Sequence, residues 1–104
     1  MNAHSRSEWR QESRLLGERD RLGRLLEELR VAVTSRAGYE PHDVIDEEAA
    51  TQAVAIEGRL AAIDKALDRI DSGTYGVCLT CESPIVAERL EALPTAALCG
   101  SCAG

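Results

Sequence analysis

Four cysteines near the C-terminus carry the plainest chemistry in this chain: Cys78-Leu-Thr-Cys81, seventeen intervening residues, then Cys99-Gly-Ser-Cys102, a C-x2-C-x17-C-x2-C pattern. Each C-x2-C puts two sulfurs on one tight turn. Two such turns complete a tetrahedron of thiolates about 2.3 Å from a Zn²⁺ ion. An iron site or a redox dithiol would use the same residues. With all four positions filled by protein, none is left for water, so the expected role of one bound zinc is structural rather than catalytic. Elsewhere the sequence has no Ser/His/Asp or Cys/His constellation, no phosphate-cradling glycine loop and no paired carboxylates in an evident pocket, so an enzyme is not expected.

The elements that must position these thiols are helical. The 104 residues include no Phe, and the large rings are Trp9, Tyr39 and Tyr75. A chain of this size cannot bury a large core, and its Leu, Ile, Val and Ala suit helix-on-helix packing. From about Ser7 to Arg36, Leu15, Leu22, Leu26, Leu29 and Val33 recur at helical spacing, interrupted by Arg19. From about Asp43 to Ser72, Ala49, Ala53, Ile56, Leu60, Ile63, Leu67 and Ile70 keep an unbroken heptad rhythm. Gly73 then reads as the residue that closes the second helix.

Between the helices, Ala37-Gly38-Tyr39-Glu40-Pro41-His42 has the composition of a chain reversal. In an antiparallel hairpin, the numbers of facing seam residues share one total. Val33 with Ala49, Leu29 with Ala53, Leu26 with Ile56, Leu22 with Leu60 and Leu15 with Leu67 all total 82, which puts the fold-back at Pro41. The fold class expected is therefore mainly α: a long antiparallel coiled-coil hairpin over residues 1–72, with its tip near 37–46, and a four-cysteine finger over 73–104. Within the finger, a short helix from Ala87 to Leu93, ended by Pro94, should pack Leu90 and Leu93 near the metal. Trp9 is expected to pack on the finger.

Charge is distributed unevenly along the chain. Residues 1–36 carry eight Arg against six acids, 37–72 three bases against nine acids, and 73–104 one Arg against three acids. Phosphate binding needs clustered Lys and Arg, so direct, sequence-specific nucleic-acid binding is not expected. No apolar run reaches membrane-spanning length and the N-terminus lacks an apolar leader, so a cytoplasmic protein without a membrane association is expected. Reduced thiols in that compartment favour metal ligation over disulfides.

Asp43 and Asp46, three residues apart at the start of the second helix, project from one face, with Glu40 and His42 on the turn. Acids there also complement the helix dipole and cap the first turn. The second reading of this acidic turn is a group of carboxylates carried into a partner's cleft. His42 reads as an exposed turn residue, and Arg89, between Glu88 and Glu91, as a surface ion-pair residue that is a weaker candidate for partner contact.

The run Ala66-Leu-Asp-Arg-Ile-Asp-Ser-Gly-Thr-Tyr-Gly-Val-Cys78, followed by Arg89-Leu-Glu-Ala-Leu-Pro-Thr-Ala-Ala-Leu-Cys99, resembles the DksA/TraR family of RNA polymerase-binding proteins. The likeness is specific over about residues 66–102 and architectural upstream. It implies a transcription regulator that inserts its coiled coil into the secondary channel of bacterial RNA polymerase and acts through its acidic tip. The family's D-x-x-D-x-A tip motif is met best by Asp43-Val44-Ile45-Asp46, with Glu48 at the Ala place and Ala49 one later. Glu40-Pro41-His42-Asp43 is a second register. Glu82 stands where the family has Gly after the second cysteine, a departure expected to alter or strain that knuckle. A monomer is expected rather than a dimer. A different reading of the same features is a zinc-stabilised scaffold or oligomerisation module built on the coiled coil.

Overall fold

The computed structural model describes residues 6–39 and 47–103, with side chains over 8–31 and 47–103. It contains the helices α1 (Arg6–Tyr39), α2 (Glu47–Ser72), α3 (Ala87–Ala92) and α4 (Gly100–Ala103). Among the described residues there is no strand, and β pairing is confined to an isolated antiparallel bridge between Val77 and Pro84. None of the described helices is long and apolar enough to cross a membrane. The fold is thus mainly α, with two long helices followed by the four-cysteine segment.

The first helix is longer than its hydrophobic pattern suggested. Gly38 lies inside α1 and does not end it, so Ala37 and Tyr39 are helical as well. A single helical glycine costs only about 1 kcal/mol relative to Ala, which a continuing backbone ladder tolerates. Glu40, Pro41, His42, Asp43 and Asp46 lie outside the described residues.

The chain divides into two compact units, one formed by residues 18–61 and the other by 1–17 with 62–104. In the first, Leu22, Leu26, Ala49 and Ile56 are buried, and Leu29, Ala53 and Leu60 are half-buried. Arg19, the break in the stripe, stays exposed. Two cross-helix ion pairs, Arg30 with Glu57 at 3.1 Å and Arg59 with Glu18, flank this seam. Their numbers total 87 and 77, five above and five below the 82 of the seam pairs. That is the offset of flanking positions on the two edges of an antiparallel coiled coil. Exposed pairs of this kind contribute about 0.2–1 kcal/mol each, so they specify register more than stability.

In the second unit, Gln11, Leu15, Ile63, Ala66 and Ile70 are buried together with Tyr75, Cys78, Ile85, Leu90 and Ala96. Gln11 is fully buried, and its Oε1 accepts from Arg14 Nη1 at 3.0 Å. α2 ends as its glycine predicts. Gly73 sits at φ +79°, its N–H donates to the Ile70 carbonyl at 3.2 Å, and the Thr74 N–H donates to the Arg69 carbonyl at 2.8 Å. These two bonds form a Schellman motif, which only a residue free to adopt the left-handed region closes without strain.

Two large side chains are more exposed than the sequence suggested. Trp9 is 60% exposed rather than packed away, and Leu93, the residue just past α3, is 47% exposed while Leu90 alone of the pair is buried. α3 is only six residues long, and Leu93 leaves helical geometry at φ −139°, ψ 84°. Its side chain therefore departs from the face on which Leu90 points inward.

Candidate metal centre

The two cysteine pairs are presented by different local devices. Around the first pair, the Ile85 N–H donates to the Gly76 carbonyl at 2.8 Å and the Cys78 N–H to the Ser83 carbonyl at 2.9 Å, a narrow antiparallel ladder about the Val77–Pro84 bridge. The Glu82 N–H then folds back to the Cys78 carbonyl at 2.9 Å, closing a tight turn over Cys81. In the second pair, the N–H groups of Cys102 and Ala103 both donate to the Cys99 carbonyl, at 3.1 and 2.9 Å, as α4 begins. One backbone bond ties the two turns together, from Leu79 N–H to the Ala97 carbonyl at 2.9 Å.

Glu82 occupies the left-handed region at φ +62°. The knuckle therefore keeps the backbone path that glycine suits and holds a glutamate in it. A left-handed non-glycine residue costs about 1–2 kcal/mol, part of which is balanced by the greater unfolded-state freedom of glycine. Glu82→Gly is accordingly expected to raise stability by about 0.5–1 kcal/mol, seen as a higher thermal midpoint of the zinc-loaded protein. A lower midpoint would show that the Glu82 side chain contributes something the backbone does not reveal.

All four sulfurs, Cys78, Cys81, Cys99 and Cys102, lie within 4.8 Å of one another, and the Cys81 and Cys99 sulfurs are 3.6 Å apart. A tetrahedron with metal–sulfur bonds of about 2.3 Å has edges of about 3.8 Å, so the donor set fits a single Zn²⁺. Cys78 is buried, Cys99 and Cys102 are half-buried and Cys81 is exposed. The backbone N–H groups of Cys81 and Cys99 are directed at the Cys78 sulfur and bring its pKa down to about 6, against a smaller opposing effect of burial. The Ser83 side chain and N–H lower that of Cys81. Cys102 is pushed up to about 12 by its hydrogen bonds with the other sulfurs, that with Cys99 foremost. Cys78 is thus the acidic member of the set, while Cys102 holds its proton chiefly through its bond to Cys99 in the crowded sulfur cluster. A divalent cation relieves that crowding.

Side chains from α1, α2, α3 and the turn after α2 capture carbonyls at the end of α3 and in the irregular segment leading to the second pair. Arg14 Nη1 donates to the Glu91 carbonyl at 2.8 Å, the Tyr75 hydroxyl to that of Pro94 at 2.8 Å, Arg69 Nη2 to that of Thr95 at 3.3 Å, and Arg89 Nε to that of Leu98 at 2.9 Å. Arg10 and Arg14 also pair with the Glu91 carboxylate. Burial raises the Tyr75 pKa, the neighbouring Arg69 and Arg14 charges opposing it, so the phenol stays a donor. Arg89, read from the sequence as a surface residue, is half-buried and engaged inside the finger. Arg14, Arg69 and Tyr75 escaped sequence reasoning because a backbone carbonyl is an acceptor whatever residue bears it.

Residues 73–104 match the family model of the prokaryotic dksA/traR C4-type zinc finger. The C-terminal finger is thus of the dksA/traR C4 type. The fold of the chain is similar to that of transcription factor DksA2 from Pseudomonas aeruginosa, with a TM-score of 0.78 and 27% identity over 93% of this chain and 80% of that one. It is also similar to the DnaK suppressor protein from Agrobacterium tumefaciens C58, with a TM-score of 0.68 and 29% identity over 98% of this chain and 96% of that one. An uncharacterised protein of Aquifex aeolicus is 46% identical over 44 residues, which are 42% of this chain and 30% of that relative. The DksA/TraR-type finger takes zinc, and the four clustered thiols described above are the donor set for it.

Proposed function

We propose that this chain is a cytoplasmic, monomeric transcription regulator that binds bacterial RNA polymerase, presents the acidic turn between α1 and α2 to the secondary channel and modulates initiation. It acts without sequence-specific contacts to nucleic acid and without catalysis of its own. The observation that carries this reading is the likeness to a transcription factor over 93% of the chain, helices and finger alike. A finger alone would support much less. The charge pattern agrees: the stretch 37–72, which contains the turn, has nine acids against three bases. Carboxylates at such a turn suit a cleft that holds a cation or basic side chains. In this reading Asp43 and Asp46 act at the tip, with Glu40 and His42 beside them, and Cys78, Cys81, Cys99 and Cys102 serve the finger by holding its zinc.

Purified zinc-loaded protein should bind core polymerase and alter transcription from a ribosomal promoter. Asp43→Asn combined with Asp46→Asn should abolish the transcriptional effect and leave binding largely intact. Glu40→Gln with Asp43→Asn tests the alternative carboxylate pair in the same assay. Failure to bind core polymerase would end this reading.

A further inference from the structure

The Leu98–Cys99 peptide is held at both ends. Its carbonyl accepts from Arg89 Nε at 2.9 Å, and its N–H belongs to Cys99, whose sulfur lies in the cluster of four. A peptide unit is planar, and in the trans form its C=O and N–H point in opposite directions. Fixing the oxygen therefore fixes the line along which the N–H points. The donor is a guanidinium, so the bond to the carbonyl is charge-assisted and polarises the amide toward stronger donation at its other end. The neighbouring peptide is tied as well, its Ala97 carbonyl accepting the Leu79 N–H of the first knuckle. Cys99 is the residue at which the irregular 93–99 segment gives way to α4, whose four residues give little rigidity of their own.

We propose that Arg89 is a positioning residue of the metal centre, which, through the Leu98–Cys99 peptide, sets the placement of Cys99 and keeps its N–H aimed into the sulfur cluster. Arg89 touches no sulfur in this role. It links α3 to the second cysteine pair, so the placement of that pair is dictated by a helix as well as by the metal. The role belongs to the finger and stands whether or not the protein binds polymerase. Lysine can reach a carbonyl but lacks a planar Nε–H held close to the backbone, so it should serve only in part.

Full-length protein loaded with cadmium-113 tests this directly, because an N–H···S bond transmits a scalar coupling from the metal to the amide proton. Wild-type protein should show that coupling at the Cys99 amide. Arg89→Gln should weaken or abolish it, and zinc affinity, read by competition with a chromophoric chelator, should fall by about tenfold, in the range typical of groups that orient metal ligands. Arg89→Lys should recover part of both. Unchanged coupling and affinity in Arg89→Gln would overturn the proposal. Should that variant fail to fold, wild-type protein still decides. A hydrogen-bond coupling between Arg89 Nε and the Leu98 carbonyl carbon, together with the cadmium coupling at Cys99, supports the role, and the absence of either defeats it.

Discussion

Stripping zinc from the full-length protein with a strong chelator is expected to collapse the dispersed amide signals of residues 73–103, while helical content falls only in part. The finger has little else to stand on. Its β pairing is a single bridge, its helices have six and four residues, and its buried side chains are Tyr75, Cys78, Ile85, Leu90 and Ala96. A structural zinc contributes on the order of 10 kcal/mol in zinc-finger peptides, comparable with the roughly 5–15 kcal/mol that stabilises a whole domain. The captured carbonyls of residues 91, 94, 95 and 98 contribute about 1 kcal/mol each, or somewhat more from the charged donors, and cannot replace that. Untreated protein should contain one zinc per chain, and returning zinc should restore the spectrum. Quantitative removal of the metal with the finger signals intact would refute a structural role.

Ile70→Ala is expected to cost about 3 kcal/mol, within the usual range for truncating a fully buried aliphatic residue. Ile70 is 0% exposed in the last turns of α2, and its own carbonyl accepts the Gly73 N–H of the cap. It therefore serves both the seam and the exit of the chain toward the finger. The measurement is the urea midpoint of zinc-saturated protein, with Val54→Ala as a control. Val54 is also on α2 but 68% exposed, so its truncation should change stability by no more than about 0.5 kcal/mol. Similar midpoints for the two variants would mean that burial at Ile70 is not what holds this end of the helix.

The parts of the fold readable from sequence are those governed by repetition. The heptad stripe named Leu15, Leu22, Leu26, Ile56, Ile63 and Ile70 as interior, and all are buried. The constant total for facing residues then foresaw the register that the Arg30–Glu57 and Glu18–Arg59 pairs flank. The cysteine spacing found the metal centre, and Gly73 found the helix end, because each depends on one residue type in one conformation. What escaped were contacts between a side chain and an anonymous backbone group. Nothing in the pattern shows that Tyr75 gives its hydroxyl to Pro94, or that Arg89 turns inward to Leu98 while its neighbour Glu88 stays exposed. Trp9, expected on the finger from its place near the open end of the hairpin, is 60% exposed. At Glu82, the absence of glycine suggested altered geometry or strain, and the backbone has kept the left-handed turn with a costlier residue in it.

The matched register of α1 and α2 also limits how such a chain can change length over evolution. Because the flanking pairs Arg30–Glu57 and Glu18–Arg59 lie symmetrically about the seam, seven residues added to or lost from one helix alone would shift every facing pair beyond the change. The same change made opposite in both helices would leave each surviving pair matched. Relatives with longer or shorter arms are thus reachable mainly by paired heptad steps, and a lone insertion must be absorbed between the two helices.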